Sequence, residues 1–335
     1  MHGRRLRPLP GLVACGLAAI LAAPLAAVEG AWVDDGQAKV RLISGRARVR
    51  PPADPELGLE FALAPGWHVY WKNPGDAGYP PGLRFAPGGP IGEAVLRYPA
   101  PRRFDLPGGL EAIGYDEDVV YPIDARWAPE LTLPGAGPGP TVAATVDYLV
   151  CAESCVPHRT ELELPLPAGD PAEDSATAAR LADWRGRLPR SLDAAGAPAV
   201  DARLESGPGS GMTLLFTLRT TRQPATAPDL FFDSDPTLEI GRPQPVASGE
   251  GPGFRVPLRP ADETRPLPDR VRLSWTVTGW SLDGRPAAYA GRLDLAPPAP
   301  AATPTAELVD AAVLVLVTIF FVLAIRRFRR RPFAS

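Results

Sequence analysis

Thr141-Val142-Ala143-Ala144-Thr145-Val146-Asp147-Tyr148-Leu149-Val150-Cys151-Ala152-Glu153-Ser154-Cys155-Val156-Pro157-His158 is the stretch on which the reading of this chain turns. Residues 141–150 are dense in β-branched and apolar side chains, which predicts a strong strand. Cys151 ends that strand and Cys155 follows after three intervening residues. Further on, residues 160–164 alternate polar and apolar as a half-buried strand does. Only a tight turn brings two cysteines at this spacing within disulfide reach. A bridge there closes a very short loop, removes little entropy from the unfolded chain and so stabilises little. Small structural value favours a redox couple over a staple. A static disulfide is the competing reading, because exported sandwiches often carry one.

Outward from this segment the chain keeps the same texture. Val40 and Leu42, then Leu57, Leu59, Phe61 and Leu63, then Trp67, Val69 and Trp71 each set apolar side chains on one face of a strand. Asn73-Pro74-Gly75-Asp76 has turn chemistry, and residues 94–98 and 119–123 add further strands. That density of short strands predicts a β-sandwich. Residues 173–188 break the rhythm with a short helix capped by Asp174 or Ser175 and ended by Pro189. A second strand series follows at 213–219, 230–232, 254–258, 271–278 and 287–295, which predicts a second, smaller sandwich. The 43 prolines and 33 glycines lie mostly between these runs, as turn residues do.

Both ends read as membrane-targeting segments. Arg4, Arg5 and Arg7, the apolar stretch 12–25 and the small residues Ala26 and Ala27 predict a signal peptide over 1–27. Cys15 precedes most of that apolar stretch, the wrong order for a lipid-modified cysteine, so it is expected to leave with the signal. Residues 308–325 are almost wholly apolar, with Asp310 the only charge, and eighteen helical residues span roughly 27 Å, just enough for a bilayer core. Arg326, Arg327, Arg329, Arg330 and Arg331 follow, which places the tail inside and the bulk of the chain outside. Eight of the 35 basic residues and one of the 38 acidic ones lie outside residues 28–307. That span therefore carries 27 against 37, near −10, which argues against nucleic acid as a partner.

Two other chemistries compete for the cysteines. With His158 nearby they present copper or zinc ligands, but the chain has only three histidines and two methionines, few for a metal carrier. A cysteine hydrolase needs a positioned base and an oxyanion hole, for which only His68 and His158 are available. His68 is read as a surface or satisfied histidine, and Trp67, Tyr70 and Trp71 as packing residues. Glu153 disfavours a thiolate beside it.

Three segments carry a family resemblance: Gly66-Trp67-His68-Val69-Tyr70-Trp71-Lys72-Asn73-Pro74-Gly75-Asp76-Ala77-Gly78, then Ile113-Gly114-Tyr115, then Tyr148-Leu149-Val150-Cys151-Ala152-Glu153-Ser154-Cys155-Val156-Pro157. In this order they resemble the N-terminal domain of the DsbD and ScsB-type thiol:disulfide interchange proteins. Residues 38–168 carry the likeness, and 196–298 resemble the second β-domain of the ScsB-like branch. The resemblance implies an immunoglobulin-like sandwich whose pair, Cys151 and Cys155, cycles between dithiol and disulfide. It makes Cys155 the residue that forms mixed disulfides and places Tyr115 in a cap over the pair. Two departures stand out. The two cysteines lie closer together than in the best-known members. The chain also holds neither a multi-helix membrane domain nor a thioredoxin-like domain, so a separate polypeptide is expected to supply electrons.

The expected architecture is all-β: signal peptide 1–27, redox domain 28–168, helical linker 169–195, second sandwich 196–298, Pro/Ala stalk 299–307, transmembrane helix 308–325 and basic tail 326–335. The expected function is that of a thiol–disulfide oxidoreductase module, a relay component tethered to the inner membrane with its bulk in the periplasm. Its expected partners are thioredoxin-like or disulfide isomerase-like proteins and a membrane electron donor, with no cofactor and no metal. Cytochrome c biogenesis and copper tolerance are the processes that the resemblance suggests. The alternatives are a tethered adaptor with a static disulfide and a copper-handling protein.

Overall fold

The computed structural model of the protein describes residues 28–298, apart from 195, 208–210, 221–222, 263, 266–267 and 283. The signal, the stalk, the membrane helix and the basic tail read above lie outside the described residues. Among the described residues no helix is long and apolar enough to cross a membrane. These residues are mostly β-sheet, with one α-helix among them. They form two compact units. One runs to Ser191 and takes in Pro224–Pro228 and Thr276–Ala290; the other holds Leu192–Gln223, Asp229–Trp275 and the residues from Gly291 on.

Besides shorter pieces, the first part of the chain runs through β1 (Ala38–Ser44), β2 (Leu57–Leu63), β3 (His68–Gly75), β4 (Gly82–Phe85), β5 (Ile91–Leu96), β6 (Arg102–Asp105), β7 (Glu111–Tyr115), β8 (Val119–Trp127), β9 (Thr141–Cys151) and β10 (Cys155–Pro165), then the helix α1 (Ser175–Gly186). One sheet has the order β1-β2-β8-β5; the other has β10-β9-β3-β7-β6, with β4 also paired to β9. Aromatic side chains fill the space between them, consistent with an immunoglobulin-like sandwich. The ring of Phe61 from the first sheet meets Tyr148 of the second edge-on at 5.0 Å, and the Tyr121 hydroxyl crosses to donate to the Tyr70 carbonyl at 2.9 Å. Each such aromatic contact adds about 0.5–1.5 kcal/mol beyond the burial of its area.

Strand β3 departs from its sequence reading. Val69 and Trp71 face one side as expected, but His68 and Tyr70 are buried on the other, where Phe104 stacks on His68 and packs, with Leu106, against the cluster of Tyr70. The Asn73-Pro74-Gly75 turn is folded into the end of this strand. Gly75 takes φ 85°, its N–H is held by Asn73 Oδ1 at 3.2 Å, and the pairing to β7 shifts register between Tyr70 and Gly75.

Helix α1 starts where its cap predicts, with Asp174 accepting from the amides of Ala176 and Thr177 at 3.1 and 3.0 Å. Leu181 packs on Ile43 and Val120, the outward-facing residues of the first sheet, with Trp184 beside them. Gly58 makes that approach possible: a Cβ there would sit 2.5 Å from a Leu181 methyl carbon. A charge network fastens the same helix. Arg41 reaches Glu29 at 2.6 Å and Glu60 at 2.7 Å, and Arg180 bonds Glu29 and lies 3.4 Å from Glu60.

Further along come β11 (Ala199–Ser206), β12 (Met212–Arg219), β13 (Leu230–Phe232), β14 (Leu238–Ile240), β15 (Gly253–Pro260), β16 (Val271–Leu282) and β17 (Arg285–Leu295). They form sheets of order β11-β12-β15-β14 and β17-β16-β13. Phe216 of one and Trp275 of the other meet edge-on at 5.0 Å. Both residues are essentially without solvent contact, as a sandwich core requires.

Candidate redox-active site

Strands β9 and β10 pair antiparallel without interruption, from Thr141 against Pro165 to Cys151 against Cys155. The uninterrupted ladder fixes the site. Residues 152–154 turn the chain, closed by the Ala152 amide on the Ser154 carbonyl at 3.0 Å, and the two cysteines become direct cross-strand neighbours. Their sulfurs are bonded at 2.04 Å with Cα atoms 4.1 Å apart. The pair is asymmetric: Cys151 is 2% exposed, whereas Cys155 lies at the surface.

On its other side β9 pairs with β3, where Cys151 stands opposite His68. Side chains two apart on a strand share a face, so His68 and Tyr70 both project toward the pair. The Tyr70 hydroxyl donates to Cys151 Sγ at 2.9 Å and lies 4.0 Å from Cys155 Sγ. Burial raises the pKa of this phenol, which keeps it a donor at neutral pH. The turn after β3 fixes the ring. Gly78, at φ 104°, crosses the tip of the phenol so closely that a Cβ there would fall 2.3 Å from Tyr70 Cζ. The same turn is tied to β7, since the Asp76 amide donates to the Glu111 carbonyl at 2.9 Å and the Glu111 amide donates back to Asp76 Oδ2 at 2.8 Å.

A cover lies against the buried sulfur. The β6–β7 hairpin turns through Pro107–Gly109, and its Phe104 and Leu106 pack against a cluster of Tyr70, Ala112, Leu149 and Cys151. The Phe104 ring also stacks on His68, centroids 5.5 Å apart, while Tyr70 meets His68 edge-on at 5.3 Å. His68 is thus a buried residue of the site, contrary to its reading as a surface or satisfied side chain: its Nε2 is buried and has no hydrogen-bond partner. Burial lowers its pKa, against the opposing pull of Asp116.

Of the residues singled out in the sequence, Cys151 and Cys155 come together. Tyr115 sits at the base of the cover hairpin, paired with Val69, its ring edge-on to Tyr121 at 5.3 Å and its hydroxyl donating to the Pro99 carbonyl at 2.7 Å. Among the described residues, Phe104 and Leu106, not Tyr115, are the aromatic and aliphatic side chains of this hairpin packed against the Cys151 cluster. His158 stacks on Tyr148 at 5.2 Å, its Nε2 3.1 Å from Gln37 Oε1. Tyr70, Phe104 and His68 were not assigned to the site from sequence. The two-residue alternation of His68 and Tyr70 beside a strand-ending cysteine was the available signal for two of them. Arg102-Arg103-Phe104-Asp105 has no apolar alternation to mark it as a strand at all.

Residues 40–167 match the family described as Thiol:disulfide interchange protein DsbD, N-terminal. The Trp-His-Val-Tyr-Trp and Cys-Ala-Glu-Ser-Cys segments both fall inside that stretch. Among solved structures, the N-terminal periplasmic domain of ScsB from Proteus mirabilis is similar, with a TM-score of 0.61 and 21% sequence identity. The likeness covers 81% of this chain and 100% of that one. At that identity the likeness establishes the fold. No curated protein sequence matches.

Proposed function

We propose that this protein, whose residues 40–167 belong to the DsbD N-terminal family, exchanges disulfides with partner proteins through Cys151 and Cys155. The observation that carries the reading is the division of the pair into one exposed and one buried sulfur held by a phenol. In the reducing direction, Cys155 as thiolate attacks a partner disulfide in line with its S–S bond and expels one partner sulfur as thiolate. Cys151 then attacks Cys155 Sγ, the intramolecular disulfide forms, and the second partner sulfur leaves. The partner gains two electrons and the pair loses them. The Tyr70 hydroxyl stabilises developing negative charge on Cys151, because a donated hydrogen bond favours the charged form.

The hairpin bearing Phe104 and Leu106, with Tyr115 at its base, acts in this reading as a cap that a docking partner displaces. Residues 28–168 form the redox domain, joined through 169–195 to 196–298, which serves as docking surface or spacer. The stalk, the membrane helix and the arginine tail tether the whole outside the inner membrane, where thioredoxin-like or disulfide isomerase-like partners meet it and a separate membrane protein supplies electrons. The similar ScsB domain is itself described as periplasmic.

Cys151→Ala is the direct test. It leaves Cys155 able to attack but unable to be released, so partner adducts accumulate on non-reducing gels and vanish with reductant. Absence of adducts, together with a wild-type pair that stays oxidised in cells, would favour the static adaptor instead.

A further inference from the structure

We propose that His68 accepts the proton of Cys151 when that thiol resolves the mixed disulfide. The inference rests on the exchange reading above and adds to it the group that makes Cys151 a nucleophile.

His68 and Cys151 are registered opposite each other on adjacent antiparallel strands. Directly opposed residues hold their Cβ atoms about 4.5–5.5 Å apart. In the disulfide state the Cys151 sulfur carries no proton and is held toward Cys155. The imidazole Nε2 then sits buried with nothing to bond. Burying a polar atom unsatisfied is costly, and native proteins seldom do it without a reason. A thiol proton that exists only in the reduced state supplies one. Once the S–S bond opens, rotation of the Cys151 side chain brings that S–H to the waiting nitrogen.

Among the described residues, the other ionisable groups of the surrounding elements are engaged or exposed: Glu111 is paired with Arg103, and Asp105 lies at the surface. Tyr70 is a buried phenol that donates. Glu153 is exposed in the turn. Asp116 is exposed and bonded to Arg102 at 2.9 Å, with Glu117 also 3.7 Å from that guanidinium. His158 is turned to Gln37. Burial under Phe104 keeps His68 neutral, and a neutral imidazole is the form that takes a proton.

The Cys151 S–H bond breaks and the proton passes to Nε2 of His68. The sulfur lone pair forms the bond to Cys155 Sγ, and the bond from Cys155 Sγ to the partner sulfur breaks with its electron pair leaving on the partner. The imidazolium then returns its proton to that thiolate or to water.

The reduced full-length protein mixed with excess 5,5′-dithiobis(2-nitrobenzoate) separates the two steps. The first thionitrobenzoate is released by Cys155 attack and the second by Cys151. A thiol of ordinary pKa, about 8.5, is only about 3% ionised at pH 7, so assistance is worth at most about thirtyfold in the second step, and less to the extent that the Tyr70 hydrogen bond already favours the thiolate. In His68→Gln and His68→Asn the ratio of second to first release rate is expected to fall at pH 7, by severalfold and by no more than that limit. The deficit should close as the pH rises past the thiol's own pKa. An unchanged ratio with an unchanged pH profile overturns the inference. A measurement on the wild-type protein guards against a variant that misfolds: the His68 ring, followed by NMR, titrates with different midpoints in the disulfide and dithiol forms. Identical midpoints overturn the inference as well. If the wild-type protein releases no thionitrobenzoate at all, the exchange reading itself is wrong and this inference goes with it.

Discussion

Two hairpins of nearly equal size stand in this chain. The β9–β10 hairpin has arms of 11 and 11 residues, and the β16–β17 hairpin has arms of 12 and 11. Both alternate buried and exposed side chains, and both sit within a sandwich. They differ at the tip and in the strand laid alongside. One ends in Cys-Ala-Glu-Ser-Cys and has His68 and Tyr70 on its neighbour β3; the other turns through Gly284, at φ 77°, and has Leu230, Phe231 and Phe232 on its neighbour β13. The ladder is therefore only a frame. Chemistry enters where two sulfurs occupy a cross-strand pair and the adjacent strand turns polar atoms toward them.

This contrast predicts that stability and exchange separate. The largest effect is expected from Trp275→Ala in β16. The side chain is 1% exposed and meets Phe216 edge-on at 5.0 Å. Truncating a buried aromatic costs about 3–5 kcal/mol. Denaturant unfolding should register that loss, while the folded fraction exchanges disulfides at the wild-type rate. A variant that keeps its stability yet loses exchange would place part of the redox machinery in this hairpin and break the comparison.

Next in size is Tyr70→Phe, which removes only the hydroxyl that donates to Cys151 Sγ. A hydrogen bond to a charged group is worth about 1.5–3 kcal/mol, so the Cys151 thiol pKa should rise by about one to two units. Thiolate absorbance in a Cys155→Ala background reads this directly. Gly78→Ala sharpens the same point without deleting the hydroxyl. The added methyl cannot share the space held by the Tyr70 ring, and alanine strains at φ 104°. It should therefore shift the thiol in the same direction. No shift in either variant would mean that the contact to sulfur carries no electrostatic weight.

The contrast also explains how much was legible beforehand. Strands such as Leu57–Leu63 and Thr141–Cys151 announce themselves because one face must be apolar. The cysteine pair was visible through its spacing and its place at a strand end. The cover hairpin was not, since Arg102–Asp105 is an edge strand with little to bury. Tyr70 packs as its sequence reading has it and in addition bonds Cys151, while His68 departs from its reading for a related reason. Periodicity reports which residues share a face, but whether the second face of β3 is covered depends on where the β6–β7 hairpin lies, and that is set by long-range contacts. Likewise, the Asn-Pro-Gly segment has turn chemistry, and the chain uses it for a bulge that ends a strand.

Intermediate between these is Phe104→Ala, which tests the cover directly. Its ring stacks on His68 and packs against the cluster that holds Cys151, so its loss is expected to open the sulfur to small reagents. If closure is worth about 1.4 kcal/mol, reduction of the disulfide by dithiothreitol should speed up about tenfold. The equivalent truncation of Phe232, beside the other hairpin, is expected to leave that rate unchanged.

The smallest expected effect concerns polar groups of the first unit that hold the fold and take no part in exchange. Glu29 lies between the guanidiniums of Arg41 and Arg180. Burial alone pushes its carboxyl up, but the bond from Arg180 and the charges of both arginines override this and hold it below its ordinary value of 4.5. A carboxyl with a depressed folded-state pKa stabilises the fold fully above its unfolded value, and that contribution fades as the pH falls through the folded one. Wild-type protein should therefore lose stability on acidification below about pH 4.5, and Glu29→Gln, which cannot titrate, should show a flatter curve there. Thermal unfolding between pH 3 and pH 6 measures the difference. The cysteine pair has no part in this network, so the potential of the disulfide at pH 7 should be the same in both proteins. A potential that moves with Glu29 would mean that the charges fastening α1 also tune the sulfurs, and the division between frame and chemistry would no longer hold.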